Sequence, residues 1–492
     1  GASFTKEVTH GTYLNAEGDQ YYEVDVTDAN GITYKMPQGN VYFPNIFHRD
    51  NYYDIYYQEN YTKKRLNSVF GTLQLGYKDM VYLDLTARND WSSALAFTES
   101  MSFFYPSVGA TFLLDEMFHM NDDLFDMVKL RASYSVVGND IPAYYSRPVA
   151  TLSKLTITLP TVMPFTDWKP EKTFSIEAGF DLAMLHNRLR TEFTFYKANT
   201  KNQYFQVSAP VASGYSKRNI NAGNVENLGI EASVSYRLDF NHDWSWTPGI
   251  NFSYNKNEIK ELCPGLEEYN LAEASAFIMK LKKGGSYGDI YTYDFQYDDN
   301  GNIKLDNTGA PLLTSDADTY AGNFNSKFHL GWSNTINWKN LNIYALVDGK
   351  IGGKVLSMTE AIMDGYGVSK ATGDARLNGG VPNKDGSMID AEKYYSRVGG
   401  RAQNAGFNAM EYMYSATNFR LRELSVGYTF ENLFGMNKNL TASVVGRNLF
   451  FLYKKSPCDP DISGSTGNGW QGIDVFSLPA TRSWGLNLKL NF

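Results

Sequence analysis

The last twelve residues, 481–492, read Thr-Arg-Ser-Trp-Gly-Leu-Asn-Leu-Lys-Leu-Asn-Phe, and they constrain this chain more than any other stretch. In an extended strand, successive side chains point to opposite faces. Arg482, Trp484, Leu486, Leu488, Leu490 and Phe492 therefore share one face, and Ser483, Gly485, Asn487, Lys489 and Asn491 share the other. One side is apolar, while the other is too polar for a dry core. A strand of about ten residues divided in this way suits a wall with lipid outside and water inside. Taken alone, the same residues also fit an edge strand of a soluble sandwich.

The pattern recurs upstream and separates the two readings. Gly71, Leu73, Leu75 and Tyr77 alternate with Thr72, Gln74 and Gly76. Lys78-Asp79 then turns the chain into Val81, Leu83, Leu85 and Ala87 against Tyr82, Asp84, Thr86 and Arg88, which predicts a hairpin. Residues 106–112, 128–137, 174–182, 189–199, 228–238, 244–254, 328–338, 341–347, 419–430 and 440–449 continue the series. In 228–238, Leu228, Ile230, Ala232, Val234, Tyr236 and Leu238 oppose Glu231, Ser233, Ser235, Arg237 and Asp239. Burying Glu231 and Arg237 in a dry core would cost several kcal/mol, whereas a wet lumen accepts them, so the pattern favours a barrel.

Connections near Lys78, His186, Asn241 and Lys339 are short, and they alternate with long ones at 138–172, 200–224, 352–415 and 451–479. Barrels with short periplasmic turns and long external loops show this alternation. The count comes to roughly fourteen to sixteen strands. Residues 257–328 hold either no complete strand or two, and residues 1–65 are hard to phase, with strands expected at 21–26 and 52–61 around a loop at 28–37.

Composition fits this wall. Mean hydropathy is negative and no run is long enough for a membrane-spanning helix. The 35 Tyr, 30 Phe and 8 Trp are a surplus that interface girdles, or carbohydrate-binding surfaces, would use. A net charge of −8 with no concentrated basic face argues against nucleic acid. Cys263 and Cys458 lie in expected loops without metal-ligand spacing, leaving either a single bridge or two unrelated thiols. No basic-then-apolar leader opens the chain, so either one was removed or this is the back part of a longer polypeptide.

No catalytic constellation, metal site or cofactor-binding motif emerges. The six His are scattered, and HExxH, GxSxG and Walker patterns are missing. Asp298-Asp299-Asn300-Gly301-Asn302 begins like a calcium loop but lacks Glu at the twelfth position, which favours a plain turn. The expected working surface is the long loops, with Trp91, Tyr144, Tyr145, Trp168 and Trp470 as platforms for sugar faces or peptide side chains. The rival role for these rings is interface girdle or loop packing.

A chain closing on such a strand with a terminal aromatic resembles outer-membrane β-barrel proteins, and by that resemblance Phe492 is the signal read by the barrel-assembly machinery. More specifically, Tyr77-Lys78-Asp79, Thr86-Ala87-Arg88-Asn89-Asp90-Trp91-Ser92-Ser93, Phe104-Tyr105-Pro106-Ser107-Val108-Gly109 and Leu130-Arg131-Ala132-Ser133-Tyr134 resemble the SusC/RagA family of TonB-dependent transporters of Bacteroidota. So do Trp168-Lys169-Pro170-Glu171, residues 419–430, Gly446-Arg447-Asn448-Leu449-Phe450 and Pro479-Ala480-Thr481-Arg482-Ser483. The resemblance implies an all-β, transmembrane antiparallel barrel, 22-stranded when complete, with long extracellular loops. It also implies a preceding plug and a TonB-contacting segment, neither of which is recognisable in 1–492. The whole chain is thus expected to be the carboxy-terminal part of a receptor barrel.

By the same resemblance, the protein imports nutrient oligomers across the outer membrane and is not an enzyme. Oligosaccharides are favoured over oligopeptides, and a passive or structural pore is the alternative. The implied partners are a SusD-like surface lipoprotein, TonB acting through the amino-terminal part, and outer-membrane lipid. A dimer of transporter–lipoprotein pairs is the implied assembly.

Overall fold

A computed structural model describes residues 2–18, 22–27, 33–38, 52–96, 98–121, 123–146, 150–153, 156–163, 167–209, 211–263, 265–274, 276–399, 408–431, 439–461 and 469–491. Fourteen strands form one continuous antiparallel wall in which each pairs with the next along the chain. They are β1 (Ala2–Gly18), β2 (Tyr52–Tyr77), β3 (Val81–Ser92), β4 (Ser102–Leu113), β5 (Phe125–Asn139), β6 (Glu171–Met184) and β7 (Leu189–Ser208), followed by β8 (Lys217–Tyr236), β9 (Trp244–Glu261), β10 (Phe328–Trp338), β11 (Leu341–Ile351), β12 (Asn418–Phe430), β13 (Asn439–Lys454) and β14 (Ser483–Asn491). Two short strands, Val162–Met163 and Leu238–Asn241, join the same sheet and bring it to sixteen.

Register carries the alternation around the wall. Ile176 on β6 pairs with Tyr134 on β5, Phe195 on β7 with Ile230 on β8, and Ile250 on β9 with Trp332 on β10. Leu73, Ile176, Trp332, Val444 and Leu488 are large apolar side chains that remain exposed on the outer face. In water such a band would be a liability, whereas against lipid tails it is the matched surface. At the Lys78-Asp79 turn both residues have positive φ, 50° and 55°, which matches the right-handed twist of the flanking strands.

Two expectations need correction, and one open alternative is decided. Residues 28–37 are not simply a loop, because a strand Thr33–Gln38 pairs with Tyr22–Thr27. Its β-branched and aromatic start outweighs Pro37, which a two-stranded ribbon tolerates because both of its strands are edges. The long loop at 200–224 is mostly an extension of the hairpin, paired from Lys201↔Asn224 up to Ser208↔Lys217. Within it Phe205 is buried with Ile259, Leu262 and Leu281, a core unavailable to a free loop. Of the two alternatives left open for residues 257–328, the first holds: among the described residues no wall strand lies between β9 and β10, which pair directly, and the intervening chain folds into its own four-stranded sheet.

That sheet is one part of a cap at the long-loop end. Its main core gathers Phe277, Met279, Ile290 and Phe295 from the β9–β10 connection, Leu356, Ala361, Val398 and Tyr412 from the β11–β12 connection, and Ile473 from the β13–β14 connection. Lys354–Ser357 bridges two of these connections, pairing with Met413–Ser415 and with Ile473–Asp474. Three loops distant in sequence thus bury one another's apolar side chains. The wall has its apolar face outward, so the densest core lies in the cap.

Candidate functional site: the lumen beneath the cap

Between wall and cap lies a cavity of about 910 Å³. The wall supplies Asn227, Glu231, Ser253, Asn255, Asn257, His329 and Lys350, and the cap supplies Tyr287, Asp289, Tyr320, Asn323 and Asn325. These wall residues share the inward register, for Glu231 pairs with Ser253, and Ser253 in turn with His329.

The lining is internally hydrogen-bonded. Asn257 Nδ2 donates to Asn227 Oδ1 at 3.0 Å, while its Oδ1 accepts from the Tyr287 backbone N–H at 2.8 Å. Asn323 Nδ2 donates to Asp289 Oδ1 at 2.8 Å, and Asn325 Nδ2 to the Tyr287 carbonyl at 2.6 Å. These bonds fix the wall–cap junction and orient Tyr287, whose ring meets Phe324 edge-on at 5.8 Å.

A second lumen space of about 820 Å³ shares Glu231, Ser253 and His329 with the first. Its two arginines are committed to carboxylates. Arg131 Nε donates to Asp181 at 3.2 Å, and Arg422 donates to Asp348 and, at 3.3 Å, to Asp461. Glu177, Glu192 and Glu231 also line this space, and none of them has an ion pair among the described residues. The lumen is therefore polar and locally acidic. Asp461 ties the β13–β14 connection to the wall through Lys350 at 2.6 Å and Arg420 at 3.6 Å. Burial opposes its charge, yet Lys350 and Arg420 outweigh that cost and hold its carboxyl below the ordinary range.

Within the cap, Lys280 is buried but keeps its charge, because Asp318 at 2.8 Å and Glu268 at 3.3 Å outweigh the desolvation that disfavours it. Tyr412 is pushed well above the ordinary tyrosine range by burial and by donating its hydroxyl to Asp364 at 2.8 Å. Among the described residues no cluster of His, Cys, Asp and Glu is arranged to hold a metal ion. The Asp298 carboxylate instead accepts backbone N–H groups of Asn300 and Asn302, which makes the segment a turn. Cys263 and Cys458 do not form a disulfide.

The five aromatic candidates do not line either lumen space. Trp91 continues the outward-facing series of Leu83 and Leu85 on β3, so it faces away from the lumen. Trp168 is fully buried beside Leu95, Phe103 and Ile141, and the open stacking face expected of it is taken up by packing. Trp470 is half-buried, with its ring edge-on to Phe277 at 5.4 Å. Tyr144 and Tyr145 are exposed. Tyr145 sits edge-on to Tyr204 at 5.7 Å, and Tyr144 accepts a hydrogen bond from the Lys63 backbone N–H at 3.3 Å. Phe492 lies outside the described residues.

The lumen amides were overlooked although a signal existed. Asn251, Ser253, Asn255 and Asn257 occupy every second position of β9, all on its polar side. The cap residues Tyr287, Tyr320 and Asn323 had no comparable periodic signal.

A polar-lined strand wall with an apolar outer face and a folded loop cap defines the class of outer-membrane β-barrel receptors. The chain belongs to the TonB dependent receptor-like, beta-barrel family, whose model matches residues 2–449. It is 25% identical to TonB-dependent receptor P3 of Formosa agariphila over 87% of this chain and 45% of that protein. It is 23% identical to TonB-dependent receptor SusC of Bacteroides thetaiotaomicron over 88% of this chain and 44% of that protein. The chain thus spans about half the length of the curated relatives it matches. Among solved structures, the RagAB peptide importer in its open-open state superposes with a TM-score of 0.72 at 20% identity, covering 100% of this chain and 55% of that one. That likeness concerns the fold.

Proposed function

We propose that this chain is the carboxy-terminal barrel part of an energised importer that moves nutrient oligomers, oligosaccharides foremost, across the outer membrane. The observation that carries this reading is the cavity of about 910 Å³ between wall and cap, lined by amides and tyrosines among charged side chains. Amide groups offer both a donor and acceptors, and tyrosine rings offer flat faces, a combination suited to hydroxyl-rich cargo. TonB, acting through the remainder of the polypeptide, supplies the energy. A SusD-like lipoprotein closes the loop end, and two such pairs form the working dimer. Tyr144 and Tyr145, exposed at that end, offer arriving cargo a further aromatic contact.

The alternative cargo is an oligopeptide, favoured by the likeness to an importer described as taking peptides. The test is uptake of labelled oligosaccharides and oligopeptides by cells carrying the full-length gene, with and without a protonophore. We expect protonophore-sensitive oligosaccharide uptake that falls in Tyr287→Ala and Asn257→Ala. Uptake confined to peptides transfers the cargo to that class. Uptake indifferent to the protonophore would make the protein a passive pore.

A further inference from the structure

We infer that the cavity between wall and cap takes a carboxylate carried by its cargo at a basic trio, Lys327, His329 and Lys350, and that Asp461 is the internal carboxylate it displaces. The inference rests on the reading of that cavity as the cargo site and adds the charge of the cargo to it. The trio is built by register. His329 on β10 pairs with Lys350 on β11, and Lys327 stands two residues before His329, so all three share the inward face at the long-loop end of these strands. The Lys327 backbone N–H donates to the Ile351 carbonyl at 2.9 Å, which continues the pairing past the start of β10. Gly352, with a φ of 86°, lies against the Lys327 stem, where an added Cβ would come within 3.4 Å of its Cγ. All three side chains line the cavity, and among the described residues no carboxylate pairs with Lys327.

The acids nearby differ in how firmly they are held. Arg420 is buried and donates to Asp459 at 2.6 Å, while Arg422 donates through Nε to Asp348 at 3.0 Å. Asp461 is the third acid, paired with Lys350 at 2.6 Å and, at longer range, with Arg422 at 3.3 Å and Arg420 at 3.6 Å. If Asp461 turns away, both arginines keep a carboxylate and only Lys350 loses its own. The two preceding residues stay anchored, Asp459 by Arg420 and Pro460 by burial. The Asp461 side chain is 24% exposed against 10% for Asp459, so water can solvate it on release.

Charge decides what replaces it. In the cavity lining Lys256, Lys327 and Lys350 stand against Glu231, Asp289 and Asp461. With Asp461 displaced the lining has one positive charge in excess, and a single incoming carboxylate restores the balance. Asp461 itself shows that a carboxylate fits against the Lys350 ammonium. A carboxylate accepts several hydrogen bonds through its two oxygens, which suits a group of three donors. Glu177 and Glu192, in the adjoining space, repel the same anion and so hold it at the cap end of the lumen.

The test is saturation-transfer NMR on the purified full-length receptor in detergent, with two probe pairs that differ in a carboxylate: D-galacturonate against D-galactose, and N-acetylglycylglycine against its amide. Heat-modifiable gel migration checks the barrel of every variant. We expect a carboxylate probe to bind about tenfold more tightly than its neutral counterpart, and the responding pair identifies what carries the charge. Asp461→Asn should strengthen that binding by about tenfold, because the internal competitor for Lys350 is removed, and misfolding cannot produce a gain. Lys350→Gln and Lys327→Gln should each weaken it by about tenfold. Lys256→Gln, in the same lining but paired with Glu258, should leave it unchanged. Equal binding of both members of each pair, or no gain in Asp461→Asn, overturns the inference and leaves the cargo reading to the uptake assay. It is equally overturned if none of the four probes binds either form, or if Lys256→Gln weakens binding as much as Lys350→Gln does.

Discussion

Single side chains in this protein divide by whether they face lipid, lumen or the cap core, and chemistry alone does not announce which. Trp168 illustrates the point. Its indole, fully buried, fills space beneath the β5–β6 connection, so Trp168→Ala should cost about 3–5 kcal/mol there. Limited proteolysis should then cut within residues 140–170 while the barrel keeps its heat-modifiable migration. Tyr412→Phe should remove the hydroxyl that Asp364 accepts, leaving a buried carboxylate short of a donor at a cost of about 1–3 kcal/mol. A lower melting temperature of the cap by hydrogen exchange is the readout. Burial, assisted by Asp474, pushes the Cys458 thiol up to about 11, above the roughly 8.5 of an unfolded cysteine. Between those values the folded state holds a proton that the unfolded state loses, so this group's contribution to stability falls as pH rises from about 8.5 to 11. Iodoacetamide should accordingly label Cys458 in the folded protein more slowly than in urea at pH 9, with the gap closing near pH 11.

At the scale of elements, the strand is the unit that the alternating pattern specifies, and neighbouring residues on one strand should behave oppositely. Ile176 and Glu177 are adjacent on β6. The first is 55% exposed on the outer face, while the second lines the lumen. Ile176→Lys should destabilise the folded barrel in lipid by about 2–4 kcal/mol near the bilayer midplane, whereas Glu177→Lys should change little because its face is wet. Urea titration of tryptophan fluorescence in vesicles measures both, and equal losses would contradict the assigned faces. The strand ends follow a different logic. Short turns such as Lys78-Asp79 were recognisable because the flanking periodicity stops for just those residues. The hairpin extension between Thr200 and Asn224 was not, because its pairing is anchored by Phe205 packing on Ile259 of β9 and on Leu262 just beyond that strand.

For the whole molecule, the consequence of a shared cap core is cooperativity. Phe277, Leu356 and Ile473 come from three different connections and are each fully buried in one cluster. Leu356→Ala should cost about 2–5 kcal/mol, and its effect should not remain in its own loop. Hydrogen exchange should rise together in 262–327, 352–417 and 469–476, with the wall strands unchanged. Loss of protection confined to 352–417 would show that the loops fold independently.

The sequence by itself determined the wall: its antiparallel course, most of its strands, the face each residue presents and the alternation of short and long connections. It could do so because a two-residue period sets sidedness locally, and lipid against water enforces the same division on every strand. It also made the inward amides of β9 readable, since they obey that period. The tertiary structure alone decided the cap, the two lumen spaces and the fate of the aromatic candidates. Tyr287, Tyr320 and Asn323 reach the lumen, and Trp168 and Trp470 pack away from it, because of how loops far apart in the chain bury each other's apolar side chains. Those contacts are non-local and carry no period, so the identity of a single loop residue holds no record of them.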